Sequence, residues 1–253
     1  MNPVELYKKL PRTNCGECRQ KACMPFAFAL LKGDVALADC PCLAQEEKAD
    51  IAASLTKFDW REDLITNLME DIKKIHLDEI SQNLGAEYSD GKLHFKCFGR
   101  DVSVGSEGEI QSKRALTPWM RMLVLFYIKN GGHSGLSGKW VLHNELRGGM
   151  MKHKAFRREC EEPLREVFDC HLEKLSRMLD GCAARCPDEF ATRNAWVVHV
   201  FPRLPILLLY WPPDVEFDSQ VTIRFDSSAD TYFDVEQLIF LVVELLTDIE
   251  ASL

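Results

Sequence analysis

The sequence predicts an α+β fold in two parts: a small helical domain over residues 1–57, then an antiparallel-sheet domain with packed helices over residues 58–253. Three observations predict it. Four cysteines, Cys15, Cys18, Cys23 and Cys40, lie among short helical patterns near the start. Further on, strand patterns come in sequence-adjacent pairs joined by tight turns. Helical patterns separate the groups of strands instead of alternating with single strands, which suits hairpins and not a wound parallel sheet.

In the first part, Asn2-Pro3-Val4-Glu5 reads as a helix start, with Asn2 as N-cap and Pro3 at the first helical position. That helix carries Leu6, Tyr7 and Leu10 and stops at Pro11. After the first cysteines, residues 22–32 read as a helix, with Pro25 in its first turn and Gly33 as a left-handed stop. Met24, Phe26, Phe28, Leu30 and Leu31 run nearly all round it, which predicts burial on more than one side. A helix over residues 43–55 leads to Lys57-Phe58-Asp59-Trp60, where the domain boundary is expected.

The second part opens with one helix over residues 62–84, whose stripe is Leu64, Ile65, Leu68, Ile72, Ile75, Ile80 and Leu84, closed by Gly85. A β-meander follows. Asp90-Gly91 is a hairpin turn, Leu93, Phe95 and Cys97 alternate with His94 and Lys96, and Gly99-Arg100 turns the chain into Val102 and Val104. Thr117-Pro118 caps a helix over residues 119–129. A glycine-rich connector, GGHSGLSGKW, precedes a helical region over residues 150–179 with a break at Pro163. Beyond it, Leu164, Val167, Phe168, His171, Leu172, Leu175, Met178 and Leu179 share one stripe, and Gly181 stops the helix. Residues 196–201 and 206–211 read as strands around a turn at 202–205, and residues 220–225 as another. Asp234 with Gln237 makes a capping-box start for the last helix, residues 235–249.

With 253 residues and 46% hydrophobic content, the chain can fill one large core plus a small appendage. Its 39 acidic against 31 basic residues leave a formal charge of -8, which argues against general binding to nucleic acid or anionic lipid. Residues 1–5 lack a signal-peptide pattern. The most apolar stretch, residues 195–211, is interrupted by Pro202, Arg203 and Pro205, so no membrane span is expected. Ten cysteines without a secretion signal fit a reducing cytoplasm, where thiols stay free and metal ligation becomes the leading use for at least four of them.

Cys15, Cys18, Cys23 and Cys40 are separated by two, four and sixteen residues. Structural zinc sites usually draw two short pairs across a longer loop. Three clustered thiols and one remote thiol suit a cubane iron–sulfur cluster better, and Cys40-Pro41 matches the Cys-Pro that closes ferredoxin runs. On spacing alone iron–sulfur leads, with zinc and no metal as the alternatives.

Residues 6–43, with LPRTNCGECRQKACMPFAFALLKGDVALADCPCL at their heart, resemble a small [4Fe–4S] domain. That domain opens the large subunit of the corrinoid iron–sulfur protein of anaerobic carbon metabolism and occurs in the B subunit of Rnf electron-transport complexes. The pattern falls on Thr13 to Cys18, Cys23, Phe26 to Ala29, Gly33 and Asp39 to Pro41, and implies Cys15, Cys18, Cys23 and Cys40 as the four ligands. Arg19 departs from the glycine common there and is a candidate for tuning the potential. Cys42 is an extra thiol and an alternative ligand. Leu136 to Trp140 (LSGKW), the run from Trp196 to Trp211, and FDSSADTYFDVEQL are similar to a domain-of-unknown-function family of anaerobes, sometimes fused behind this same cluster domain.

Other groupings read as structural first. Cys160, Cys170, His171, Cys182 and Cys186 have poor metal spacing, and incidental or buried thiols explain them better. His133, His143 and His153 could hide an axial ligand for a corrinoid or haem, although their spacing matches no single face. The loop 131–139 lacks a Walker pattern. Asp226, Ser227, Ser228 and Asp230 offer oxygen ligands or, equally, turn and capping groups.

The expectation is therefore a cytoplasmic one-electron protein of anaerobic metabolism. A [4Fe–4S] cluster would deepen its charge from -8 to roughly -10. A redox partner protein is implied, and by analogy the second domain docks it or binds a corrinoid or other tetrapyrrole. Two alternatives stand beside it: an iron–sulfur enzyme with a substrate pocket lined from residues 131–139 and 225–230, and a redox sensor or scaffold.

Overall fold

The computed structural model describes residues 3–18, 20–55, 60–131, 135–185, 190 and 192–253. Asn2 and the junction at Lys57-Phe58-Asp59 lie outside the described residues. The chain divides into two compact units, Met1–Asp63 and Leu64–Leu253.

The smaller unit is helical. Helices α1 (Pro3–Lys9), α2 (Cys23–Lys32) and α3 (Gln45–Leu55) are joined by the cysteine loop and by a 3₁₀ turn, Leu37–Asp39. Its core is Leu6, Leu10, Phe26, Ala27, Ala29, Val35, Leu43 and Ile51, together with Cys23 and Cys40. Gly33, at φ 83°, ends α2 as expected, its N–H turned back to Leu30 and Ala29. The expected burial of α2 on more than one side is met, since Phe26, Ala27 and Ala29 are all buried, while Phe28 is 49% exposed on the remaining side. Lys9 ties α1 to α3 through Asp50 at 3.1 Å and Ser54 at 2.9 Å.

The larger unit is mixed α and β. It opens with two helices, α4 (Trp60–Ile72, begun in the smaller unit) and α5 (Leu77–Leu84), instead of one. Ile72 and Leu77 are both buried, and in a continuous helix five residues would set them about 140° apart. Tight three-residue hydrogen bonds, Lys74 N–H to Asp71 and Ile75 N–H to Ile72, break the helix and let both reach the core.

The first sheet is a meander of β1 (Glu87–Ser89), β2 (Lys92–Cys97), β3 (Arg100–Gly105) and β4 (Ile110–Ser112) in that order. Asp90 and Gly91 both have positive φ, the primed turn that an Asp-Gly pair favours. Phe98 and Gly99 make a second such turn, one residue earlier than the sequence suggests, pairing Cys97 with Arg100. Helix α6 (Pro118–Asn130) follows.

The second sheet has the order β5-β9-β8-β7-β6, all antiparallel, from β5 (Trp140–Leu142), β6 (Ala184–Arg185), β7 (Asn194–Phe201), β8 (Leu204–Trp211) and β9 (Gln220–Asp226). Central β8 is buried on both faces, which explains its unbroken apolar run. Pro205 is tolerated inside it because the pairing with β7 shifts register between His199 and Phe201. Phe98 donates to Val200 at 2.9 Å and joins the sheets.

Helix α7 (Gly149–Phe156), a π-helical stretch Arg157–Glu161, α8 (Glu162–Cys182) and α9 (Val235–Glu250) complete the unit. The core includes Phe95, Tyr127, Phe201, Tyr232 and Phe233 as one aromatic group, with Phe168 stacked between Trp196 and Tyr210. No helix among the described residues is long and apolar enough to cross a membrane.

Candidate metal centre

The cysteine loop is wound by three left-handed residues, Arg12 at φ 59°, Asn14 at 50° and Gly16 at 74°. Asparagine and glycine accept this conformation most readily. Asn14 then uses its carboxamide oxygen to accept the Cys23 N–H at 2.9 Å, which fixes the loop on the first turn of α2. Ala36 N–H donates to Asp39 at 2.9 Å and closes the 3₁₀ turn that delivers Cys40.

These constraints bring Cys15, Cys18, Cys23 and Cys40 to the wall of one small cavity, completed by Leu10, Thr13, Asn14, Gly16, Ala22 and Phe26. Cys23 and Cys40 are buried, Cys18 is half-buried and Cys15 is exposed. Four thiols around an otherwise largely apolar hollow are a donor set that fits a cysteine-ligated iron–sulfur cluster. Burial pushes the Cys40 thiol up, whereas the Glu17 N–H and the Thr13 hydroxyl bring Cys15 below its usual value.

Cys42 lies apart from the cavity wall. Its sulfur is 3.5 Å from that of Cys15 and 3.9 Å from a Glu17 carboxylate oxygen. The hydrogen bond with Cys15 raises its pKa, with burial adding to the effect. Among the described residues, Cys15, Glu17 and Cys42 are the group of three His, Cys, Asp or Glu side chains whose ligand atoms all lie within 4.8 Å of one another. Glu17 and Asn14 were not singled out from sequence; their place between and beside the first cysteines was the available signal. Arg19 lies outside the described residues.

The other sequence candidates separate. Cys160 is buried in the π-helical stretch, its thiol directed at the Ile239 carbonyl at 3.8 Å and pushed up by burial. Cys170 is exposed, and so is His171, which leaves the apolar stripe because its backbone is non-helical (φ -135°, ψ 29°). The Cys182 side chain and Cys186 lie outside the description, as does His133. His143 is buried, stacked on Phe156 at 4.2 Å with Nε2 at 3.1 Å from the Val235 carbonyl, and burial lowers its pKa. His153 is half-buried on α7.

Residues 137–139 do meet residues 225–230, but their polar groups satisfy one another. Asp226 accepts from Ser137 N–H at 3.0 Å, Gly138 N–H at 2.8 Å, and Ser228 through its N–H at 2.9 Å and hydroxyl at 2.6 Å. This is a clamp. A different concavity, an open trough of about 1100 Å³, runs along the first sheet past His94, Lys96, Asp101, His199 and Pro202.

Comparison with known proteins matches both parts. Residues 76–247 match the family described as "Domain of unknown function (DUF3786)", and residues 10–42 match the family described as "Putative Fe-S cluster". Over 47 residues the chain is 51% identical to acetyl-CoA decarbonylase/synthase complex subunit gamma 2 of Methanosarcina mazei, covering 19% of this chain and 10% of that protein. Over 53 residues it is 43% identical to the corrinoid/iron-sulfur protein large subunit of Moorella thermoacetica, covering 20% and 12%. The chain thus spans about a tenth of the length of these relatives. No solved structure matches.

Proposed function

We propose that this chain, which belongs to the DUF3786 family and carries an iron–sulfur domain at its start, transfers single electrons through a [4Fe–4S] cluster held by Cys15, Cys18, Cys23 and Cys40. The observation that carries the reading is that these four thiols, and not Cys42, line one cavity. When bound, such a cluster gives and accepts one electron at a time. The protein's own part is positional. Asn14 holds the loop to α2, Leu10 and Phe26 keep water from the inner side, and exposed Cys15 marks the edge nearest a partner.

In this reading residues 1–57 are the cluster module and residues 58–253 the module that docks a redox partner or binds a ligand. Subunit names among the relatives support a partner protein, and their corrinoid and acetyl-CoA titles support a place in anaerobic one-carbon chemistry; a cytoplasmic location is part of the same proposal. The trough beside His94 and His199 is the site proposed for a corrinoid or other tetrapyrrole, since an accessible imidazole can serve as axial ligand.

Anaerobic purification with iron and sulfide analysis, then EPR of the dithionite-reduced protein, tests the centre. About four irons and a reversible one-electron signal are expected, with loss of both in Cys15→Ser or Cys23→Ser. Zinc in place of iron, or unchanged metal content in Cys15→Ser, would overturn it. Absorption spectra with added corrinoid or haem test the trough, and an unchanged spectrum rejects the tetrapyrrole.

A further inference from the structure

We infer that the outside of the cysteine loop is a second, mononuclear metal site: in the cluster-free chain Cys15, Cys42 and Glu17 bind one thiophilic divalent ion, and Cys15 leaves that ion when the cluster is loaded. The exchange of Cys15 rests on the proposed cluster; the ion site does not. The distances make the case. A tetrahedral ion with bonds of about 2.3 Å to sulfur and about 2.1 Å to oxygen sets two sulfurs about 3.8 Å apart and sulfur and oxygen about 3.6 Å apart. Here the sulfurs are 3.5 Å apart and the Glu17 oxygen is 3.9 Å from Cys42. Each cysteine of a cubane takes its own iron corner, so this close pair matches two ligands of a single ion instead.

Cys42 lies off the cavity wall that the other four thiols share, which leaves it free for this second role. All three side chains are exposed, so a hydrated ion reaches them directly and water completes the coordination. Two sulfurs and one carboxylate select Zn²⁺, Fe²⁺ or Co²⁺ over Mg²⁺ or Ca²⁺. Cys15 belongs to both sets, which makes the two occupancies exclusive and gives iron an entry point beside the cavity.

The test uses the full-length chain, stripped of metal anaerobically and kept reduced. Co²⁺ is titrated in and followed by its thiolate charge-transfer absorption, with Zn²⁺ competing against a chromophoric chelator. One Co²⁺ per chain with two thiolate ligands is expected, abolished in Cys42→Ser, weakened about tenfold or more in Glu17→Gln, and unchanged in Cys23→Ser and Cys40→Ser. Wild-type Co²⁺ uptake in Cys42→Ser, or its loss in Cys23→Ser, overturns the site. Iron and sulfide analysis after reconstitution separates the two readings. Cys42→Ser should load a full cluster, and loaded wild-type protein should take up no Co²⁺. Cys42-dependent Co²⁺ binding without any cluster sinks the cluster and the exchange; a full cluster with no Co²⁺ binding by the stripped chain sinks the ion site.

Discussion

Asp226 is 3% exposed yet keeps its charge, because four hydrogen bonds from Ser137, Gly138 and Ser228 converge on its two oxygens. Burial pushes its pKa up, but the Ser228 and Ser137 bonds outweigh that and leave the carboxyl below its ordinary value. The sign follows. The unfolded chain takes up the proton near pH 4, while the folded chain resists it until lower pH. Stability from Asp226 is therefore complete above that range and falls as pH drops through the folded pKa. Asp226→Asn should cost about 3 kcal/mol at neutral pH and flatten the acid limb of a urea-denaturation series. A variant as stable as wild type at pH 7 would show that the clamp contributes nothing. The local turn from Asp226 to Ser228 was legible in DSS, since aspartate readily bonds the N–H two residues on. Its contact with Ser137 and Gly138 was not, because nothing local links positions some ninety residues apart.

At the scale of elements, caps and turns were legible and backbone irregularities were not. Thr117-Pro118 and Asp234 with Gln237 act as read through bonds within a few residues, and Asp90-Gly91 through the positive φ of both turn residues, which pairs Ser89 with Lys92. The break between α4 and α5 carries no proline or glycine; it exists because Ile72 and Leu77 must face one core. Pro163 did signal a disturbance, which takes the form of π-helical backbone just before it, since proline has no N–H to offer the preceding turn. The kink at His171 has no such marker, and it turned a predicted stripe residue outward. Thr117 offers a direct test of the legible class. It accepts the Met120 N–H at 3.1 Å and donates its hydroxyl to buried Glu244 at 2.5 Å, joining the start of α6 to α9. Thr117→Ala loses the cap and leaves Glu244 without that donor, so chemical denaturation should register about 2 kcal/mol. Thr117→Ser keeps both bonds and should stay within about 0.5 kcal/mol. Equal losses in the two variants would place the cost in the threonine methyl instead.

At the scale of the whole molecule, the two units have very unequal means of holding themselves together. The larger owns an extended core with stacked aromatics and sheet-buried aliphatics. The smaller has a short apolar list built on Leu6, Leu10, Phe26 and Ile51, and folded chains of that size usually need a staple. Metal ligation supplies one, because an ion that binds only the folded form adds stability by mass action. Calorimetry of the full chain should then resolve two transitions, with metal removal lowering the first and leaving the second in place. Zn²⁺ at about a hundred times its dissociation constant adds about 2.7 kcal/mol. For a unit this small, each kcal/mol moves the midpoint by about 4–8 °C, so Zn²⁺ should raise the first transition of the stripped protein by about 10–20 °C. The same addition should leave Cys42→Ser unmoved, because that variant lacks one of the two sulfurs 3.5 Å apart. Were the second transition the one to shift, the staple would belong to the larger unit, and the division of labour between a metal-held start and a self-sufficient body would fail.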